Sequence, residues 1–272
     1  RLEGLAHERP DAAPRIARQL SIYVRELSRE YPAKEPPKDA MPKQLRDWAA
    51  GLTPARPDME KAAQSLGRLQ EIEGASLTDR DIDLRESNLQ GFDLRGLRFE
   101  KALLQKARME GAKLMETNMM GADLDRGRMQ AAILTGANFQ RANLHCVEWK
   151  DTHLWYAEIQ GAFLQGARLH GAKLNYAQMQ GTDLRRAQLD EMTVLNETDL
   201  LGAAVGLVAI VEVPQLRKFW PLVFADSVDR YSFGEDRPDH WAEEELQEPE
   251  FTKRWHAWQA TLPDFDPSWR CD

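Results

Sequence analysis

Cysteine is almost missing from this chain: its 272 residues hold two, Cys146 and Cys271, too far apart for a disulfide framework or a CxxC metal knuckle. Long apolar runs are missing too. The best, Ala203 to Val213, is broken by Gly206 and Glu212 and falls short of the roughly 18 residues that a membrane span needs. There is no GxxxxGK[ST] phosphate loop. The histidines offer no ligand spacing: His7, His240 and His256 lie apart in the flanks, and Asp236, Asp239, His240 and Glu243 read as a solvated helix start. Charge of one sign is scarce outside the tail. Of the net charge of -8, residues 1–81 contribute 0, residues 82–195 contribute +1 and residues 196–272 contribute -9. With 42% hydrophobic and 29% charged residues the chain is neither disordered nor collagen-like, and its length suits two domains or one elongated one.

What is present is a period of five. From Leu84 to Val194 every fifth residue is apolar, through Leu89, Leu94, Phe99, Leu104, Met109 and onward to Leu184 and Leu189, without an interruption in 23 positions. Two residues before each, Ala recurs, as at 102, 107, 112, 122, 132 and 137. Two residues after, Gly recurs, at 91, 96, 111, 121, 136, 161, 166, 171 and 181. Neither a helix of period 3.6 nor a strand of period 2 would hold such a set on one side, so the chain must turn once per unit, with Gly easing the turn. After Val194 the register slips by one, since Leu200 follows.

Units such as Ala122-Asp123-Leu124, Ala137-Asn138-Phe139, Ala142-Asn143-Leu144 and Thr182-Asp183-Leu184 resemble the A(D/N)LXX consensus of the pentapeptide-repeat family. That resemblance implies a mainly β solenoid, a right-handed quadrilateral β-helix with four units per coil and the large and small apolar residues pointing inward. Residues twenty apart then stack in columns: Leu84, Leu104, Leu124, Leu144, Leu164 and Leu184 in one, and Leu94, Leu114, Leu134, Leu154, Leu174 and Val194 in the opposite one. Phe, Met and Trp are confined to the other two. A solenoid leaves backbone edges open at both ends and needs caps.

The flanks supply them, so the expected organisation is a helical N-terminal segment (1–76), the repeat solenoid (77–212) and an acidic, Trp-rich helical C-terminal cap (213–272). Ile16, Leu20, Tyr23, Val24, Leu27 and Tyr31 have helical spacing, with Asp11 as N-cap and Pro14 in the first turn. A second helix follows Pro57, a shorter one spans Leu45 to Leu52, and the Pro-rich stretch Ala33 to Pro42 is extended. This preface resembles that of bacterial pentapeptide proteins which often carry N-terminal membrane helices, and residues 224–241 are similar to the tail of the same subgroup. Downstream, Phe251, Trp255, Trp258 and Leu262 share a helical face expected to cover the open end of the coil, beyond an acidic helix bearing Glu243, Glu244 and Glu245.

No catalytic, metal or cofactor constellation emerges. His145, His153 and His170 fall on three different faces, Cys146 has only the adjacent His145 as a candidate base, and Arg108, Arg128 and Arg168 are interrupted by Glu148, a compensated column. One face carries Met115, Ile133, Trp155, Tyr156 and Tyr176 outside, which is the candidate partner-binding surface unless the flanking helices cover it. The expected function is a non-catalytic scaffold for protein–protein interaction, the soluble part of a membrane-associated bacterial protein. No cofactor and no nucleic acid are expected, while self-association and an anchor upstream of Arg1 are allowed. The expected setting is the cytoplasm, with the cytoplasmic face of the inner membrane allowed. The alternative, which resemblance to quinolone-resistance pentapeptide proteins allows, is a DNA mimic that modulates a topoisomerase such as gyrase.

Overall fold

The five-residue period becomes a chain that turns at every unit. The computed structural model describes residues 2–205, 214–225, 238–242, 246–247 and 249–269. Three residues after each large apolar residue, an N–H donates back to its carbonyl, as Ala107 does to Leu104 and Ala142 to Phe139, both at 3.0 Å. The residue two after the large one has positive φ in every unit from Leu84 to Leu184. A turn closed in this way with φ > 0 at its third residue is a type II turn, which Gly adopts without strain. Here the same conformation is also imposed on Glu86, Arg126, Cys146, Asp151, Tyr156 and Tyr176, with φ between 54° and 59°.

Four such units make one coil, and each coil pairs in parallel with the next. Bridges join residues twenty apart, from Asp83 with Leu103 to Arg168 with Gln188. On one side the Leu144 N–H donates to Phe163 O at 2.9 Å and the Phe163 N–H to Ala142 O at 3.0 Å. Each pairing is only one bridge long, so regular strands are few: β1 (Asp183–Leu184), β2 (Ala203–Val205) and β3 (Val223–Ala225), in that order and parallel. Between the coils every large residue from Leu84 to Leu189 is buried, and Leu144 and Leu164 lie on successive coils. The Phe139 and Trp149 rings meet at 5.3 Å. Where Thr replaces Ala inside, its hydroxyl is satisfied: Thr117 and Thr152 each donate to a carbonyl of the preceding coil at 3.0 Å.

The expected core position of Val194 is wrong. Leu195 is buried in its place, Val194 bridges Lys173 from the outward position, and the offset from here is 21 residues until Ala204 pairs with Phe224. The slip therefore precedes Val194. The extra residue sits in a loop organised by Asp190, whose Oδ1 accepts from the Gly171 N–H (2.9 Å), the Met192 N–H (3.2 Å) and the Thr193 hydroxyl (3.0 Å). Thr193, buried, takes the small inner position.

The N-terminal cap comprises α1 (Leu2–Glu8), α2 (Ala13–Glu30), α3 (Pro42–Ala50) and α4 (Pro57–Leu69). Ala13, Ile16, Ala17, Val24 and Leu27 of α2, with Met59, Ala63 and Leu66 of α4, join one continuous core with the coils. The first coil has no predecessor, so its outward-position N–H groups need partners from elsewhere. Ser21 and Ser28 of α2 accept from Asp83 N (3.1 Å) and Asn88 N (2.9 Å), and Glu60 of α4 accepts from Asp93 N (2.7 Å). Three expectations change. Ala12, not Asp11, is the N-cap, because a 3-10 turn over Pro10–Ala12 precedes α2 and Asp11 pairs with Arg9 instead. Tyr23 and Tyr31 are exposed, since the side of α2 that faces the coil is the one bearing Ser21 and Ser28. The short helix starts at Pro42 and ends at Ala50.

At the other end the aromatic residues divide. Phe219 and Trp241 enter the main core, where the Trp241 indole N–H donates to Val223 O at 2.8 Å. Helix α5 (Glu250–Gln259) packs instead on the side of the solenoid. Its Phe251 and Trp255 form a separate cluster with Ala204 and Phe224, which alternate outward in β2 and β3, and with Phe163. The expectation that this helix closes the end is corrected to lateral packing, because Ala204 and Phe224 offer an apolar outer wall there. Trp255 and Gln259 both donate to Gly202 O at 2.8 Å. The expected acidic helix at Glu243, Glu244 and Glu245, and Asp236 of the acidic cluster, lie outside the described residues.

Candidate functional site

The repeat fixes where each outward side chain points. Trp155 and Tyr156 follow Leu154, and Tyr176 follows Leu174 one coil later, so the two tyrosines occupy the same turn position on neighbouring coils. Their rings stack at 5.0 Å with 7° between planes. They are 57% and 49% exposed, and Trp155 is 47% exposed. His153, an outward residue left out of the candidate surface, lies beside them with its ring stacked on Trp155 at 6.1 Å and 15°. Its signal was the spacing itself, two residues before Trp155 on the same outer side. Burial, with Arg46 and Lys173 nearby, lowers the His153 pKa and favours the neutral ring.

Of the remaining candidates, Ile133 bridges His153 and borders the patch, half-buried. Met115 does not join it. It is two coils away in the Trp155 column and lines an open groove of about 560 Å³ with Gln64, Arg68, Asp93, Arg95 and Leu97.

The adjacent face is electrostatically closed rather than available. Arg108 pairs with Glu110 (2.7 Å) and Glu35 (2.6 Å), Arg128 with Glu35 (3.0 Å) and Glu148 (3.3 Å), and Arg168 with Glu148 (3.0 Å). Glu35 comes from the extended segment between α2 and α3, which runs across these coils and exchanges two 2.8 Å hydrogen bonds between Lys34 and Gln90. Burial raises the pKa of Glu110 beneath it. Among the described residues no three His, Cys, Asp or Glu side chains converge as a metal site requires.

The family model described as pentapeptide repeats matches in eight copies, over residues 82–121, 120–145 and 150–189. Residues 82–189 are pentapeptide repeats, and by them the chain belongs with the pentapeptide-repeat proteins. No curated protein sequence matches it. Among solved structures it is similar to trypsin-treated QnrB1, a plasmid-mediated fluoroquinolone resistance protein, at 12% identity and TM-score 0.35 over 47% of this chain and 69% of that one. HetL, involved in heterocyst differentiation regulation in the cyanobacterium Nostoc sp. strain PCC 7120, is 17% identical with TM-score 0.28, over 58% and 86% of the two chains. A thylakoid-lumen protein of Arabidopsis thaliana, AT2G44920, is 20% identical with TM-score 0.29, over 54% and 79%. None of the three bears on what this pentapeptide-repeat protein binds.

Proposed function

We propose that this pentapeptide-repeat protein is a non-catalytic scaffold that presents Trp155, Tyr156 and Tyr176 to a protein partner. The observation that carries the reading is the stacked, half-exposed Tyr156–Tyr176 pair on turn positions whose left-handed backbone disfavours any side chain. Rigid coils hold these rings with little freedom left to lose, and aromatics of limited rotamer entropy are the usual anchors of interfaces. Among the described residues the flanking helices leave all three exposed, so an external partner is favoured over internal cover. The reading includes a right-handed, four-sided path for the coils. It also includes a bacterial, cytoplasmic setting beside a membrane, for which the helical preface is the support, and fractionation of the full gene product tests it.

Trp155→Ala and Tyr176→Ala are expected to leave the melting temperature within about 2 °C, as surface changes do, and to abolish capture of a partner that the parent chain retains. Sedimentation of both variants separates a foreign partner from self-association. Loss of stability without loss of any association would overturn the reading.

A further inference from the structure

Asp125, His145 and Cys146 come together at an outer corner of two successive coils, and the scaffold reading makes no use of them. Asp125 follows Leu124 and His145 follows Leu144, so coil pairing sets their side chains side by side, with Asp125 Oδ1 2.9 Å from His145 Nδ1. A carboxylate there accepts the Nδ1 proton, which leaves Nε2 of the neutral ring as an acceptor. That Nε2 faces Cys146, with Sγ at 3.6 Å. The turn fixes this approach, since Cys146 is held at φ 54°. The thiol is free and half-exposed. On the next coil the same turn position is Gly166, where a Cβ would stand 3.1 Å from the sulfur, so its lack of a side chain leaves that flank of the thiol open. One coil before is Arg126, exposed and 3.5 Å from Asp125 Oδ2, and two coils after is Arg186, also exposed.

We propose that Cys146 is an activated thiol that exchanges with low-molecular-weight disulfides carrying carboxylates, with His145 as its base and Asp125 orienting the imidazole. A nucleophile in reach of a base that a third group orients is the arrangement that nucleophilic side chains require, whatever the fold. In the exchange the Cys146 proton passes to His145 Nε2, and the sulfur attacks one sulfur of the disulfide. The S–S bond breaks, and the departing thiolate takes the proton back from Nε2. Cys146 ends as a mixed disulfide, oxidised by the half of the reagent that leaves as a free thiol. Arg126 and Arg186 attract the carboxylates, and the space over Gly166 admits the reagent.

The test uses the full chain with Cys271→Ser, so that a single thiol reports, and follows release of thionitrobenzoate from the dianionic aromatic disulfide DTNB at pH 7. The expected rate constant exceeds that of glutathione by about tenfold, and His145→Asn or the isosteric Asp125→Asn removes most of that gain with thermal melts unchanged. Arg186→Ala, which leaves the Arg126–Asp125 pair in place, is expected to slow DTNB but not the neutral disulfide dithiodipyridine. A parent rate equal to that of glutathione, or one untouched by Asp125→Asn, would overturn the proposal. An equal effect of Arg186→Ala on both reagents would overturn its preference for carboxylates.

Discussion

A residue's place within its five-residue unit decides what a substitution there does. Leu164 is fully buried in a core that runs through every coil, so Leu164→Asp places an unpaired carboxylate among methyl groups and is expected to cost about 4 kcal/mol or more, measured by denaturant unfolding. Gln165 beside it points outward, yet Gln165→Asp is not neutral. The Gln165 amide donates to Asp183, itself buried and paired with Arg185, and a second carboxylate there replaces a hydrogen bond with a like-charge contact. About 1 kcal/mol is expected, still well short of the Leu164 variant. Equal losses for the two would show that inside and outside are misassigned. Turn positions obey a separate rule. Gly111 and Gly96 share nearly the same φ, 66° and 67°, but a Cβ on Gly111 would lie 2.5 Å from the Ala49 carbonyl oxygen, and one on Gly96 meets nothing within 4 Å. Gly96→Ala carries only the left-handed backbone cost of about 1 kcal/mol, and Gly111→Ala adds displacement of the end of α3. Thermal melts should rank them in that order, and a reversed order would remove α3 from the Gly111 corner.

At the scale of elements, α3 is held by a buried charge. Asp151 sits in a turn with its side chain 2% exposed, and Arg46 of α3 reaches it at 2.9 Å. Burial raises the Asp151 pKa above its ordinary value, and Arg46 opposes that rise. A carboxyl whose folded pKa is raised contributes most to stability at low pH and loses that contribution as pH climbs through the folded value. Arg46→Ala raises that pKa further, so it should destabilise more at pH 7, by about 1–3 kcal/mol, than near pH 4, where Asp151 can carry its proton. A loss independent of pH would mean that Arg46 acts by packing alone. None of this was legible in the sequence, because residues 46 and 151 are joined only by the coil geometry. The repeat itself was legible, since one register of apolar residues five apart has no reading as helix or strand. The buried side of α2 was read in part: Ile16, Val24 and Leu27 are buried as their spacing predicts, whereas Tyr23 and Tyr31 are exposed and the unpaired N–H groups of the first coil select Ser21 and Ser28. Likewise Val194 continues the period by count, and only the hydrogen bonds around Asp190 place the slip before it.

For the molecule as a whole, the capped ends and the sides carry different chemistry. Among the described residues, helices α2 and α4 satisfy the first coil edge, α5 covers one side wall and the segment bearing Lys34 and Glu35 crosses the paired-charge face, while Trp155, Tyr156 and Tyr176 stay exposed. Two of the aromatic candidates, Tyr156 and Tyr176, could be placed on one corner from sequence by stepping twenty residues, whereas Met115 was grouped with them only because it shares a face two coils away. The paired-charge face bears on DNA mimicry. A duplex carries one negative charge per about 1.7 Å, so a rod of about six coils and roughly 28 Å would need about 16 net negatives to imitate it. Residues 82–195 carry a net +1, and along the column of Arg108, Arg128 and Arg168 each guanidinium is matched by Glu110, Glu148 or Glu35. The acidic excess belongs to residues 196–272, which follow the repeats in the sequence. The full chain is therefore expected neither to inhibit gyrase supercoiling nor to protect gyrase from a fluoroquinolone. Inhibition at low micromolar protein that disappears in moderate salt would reverse the ranking, because only a surface that competes with phosphates through screened charge loses its hold in that way.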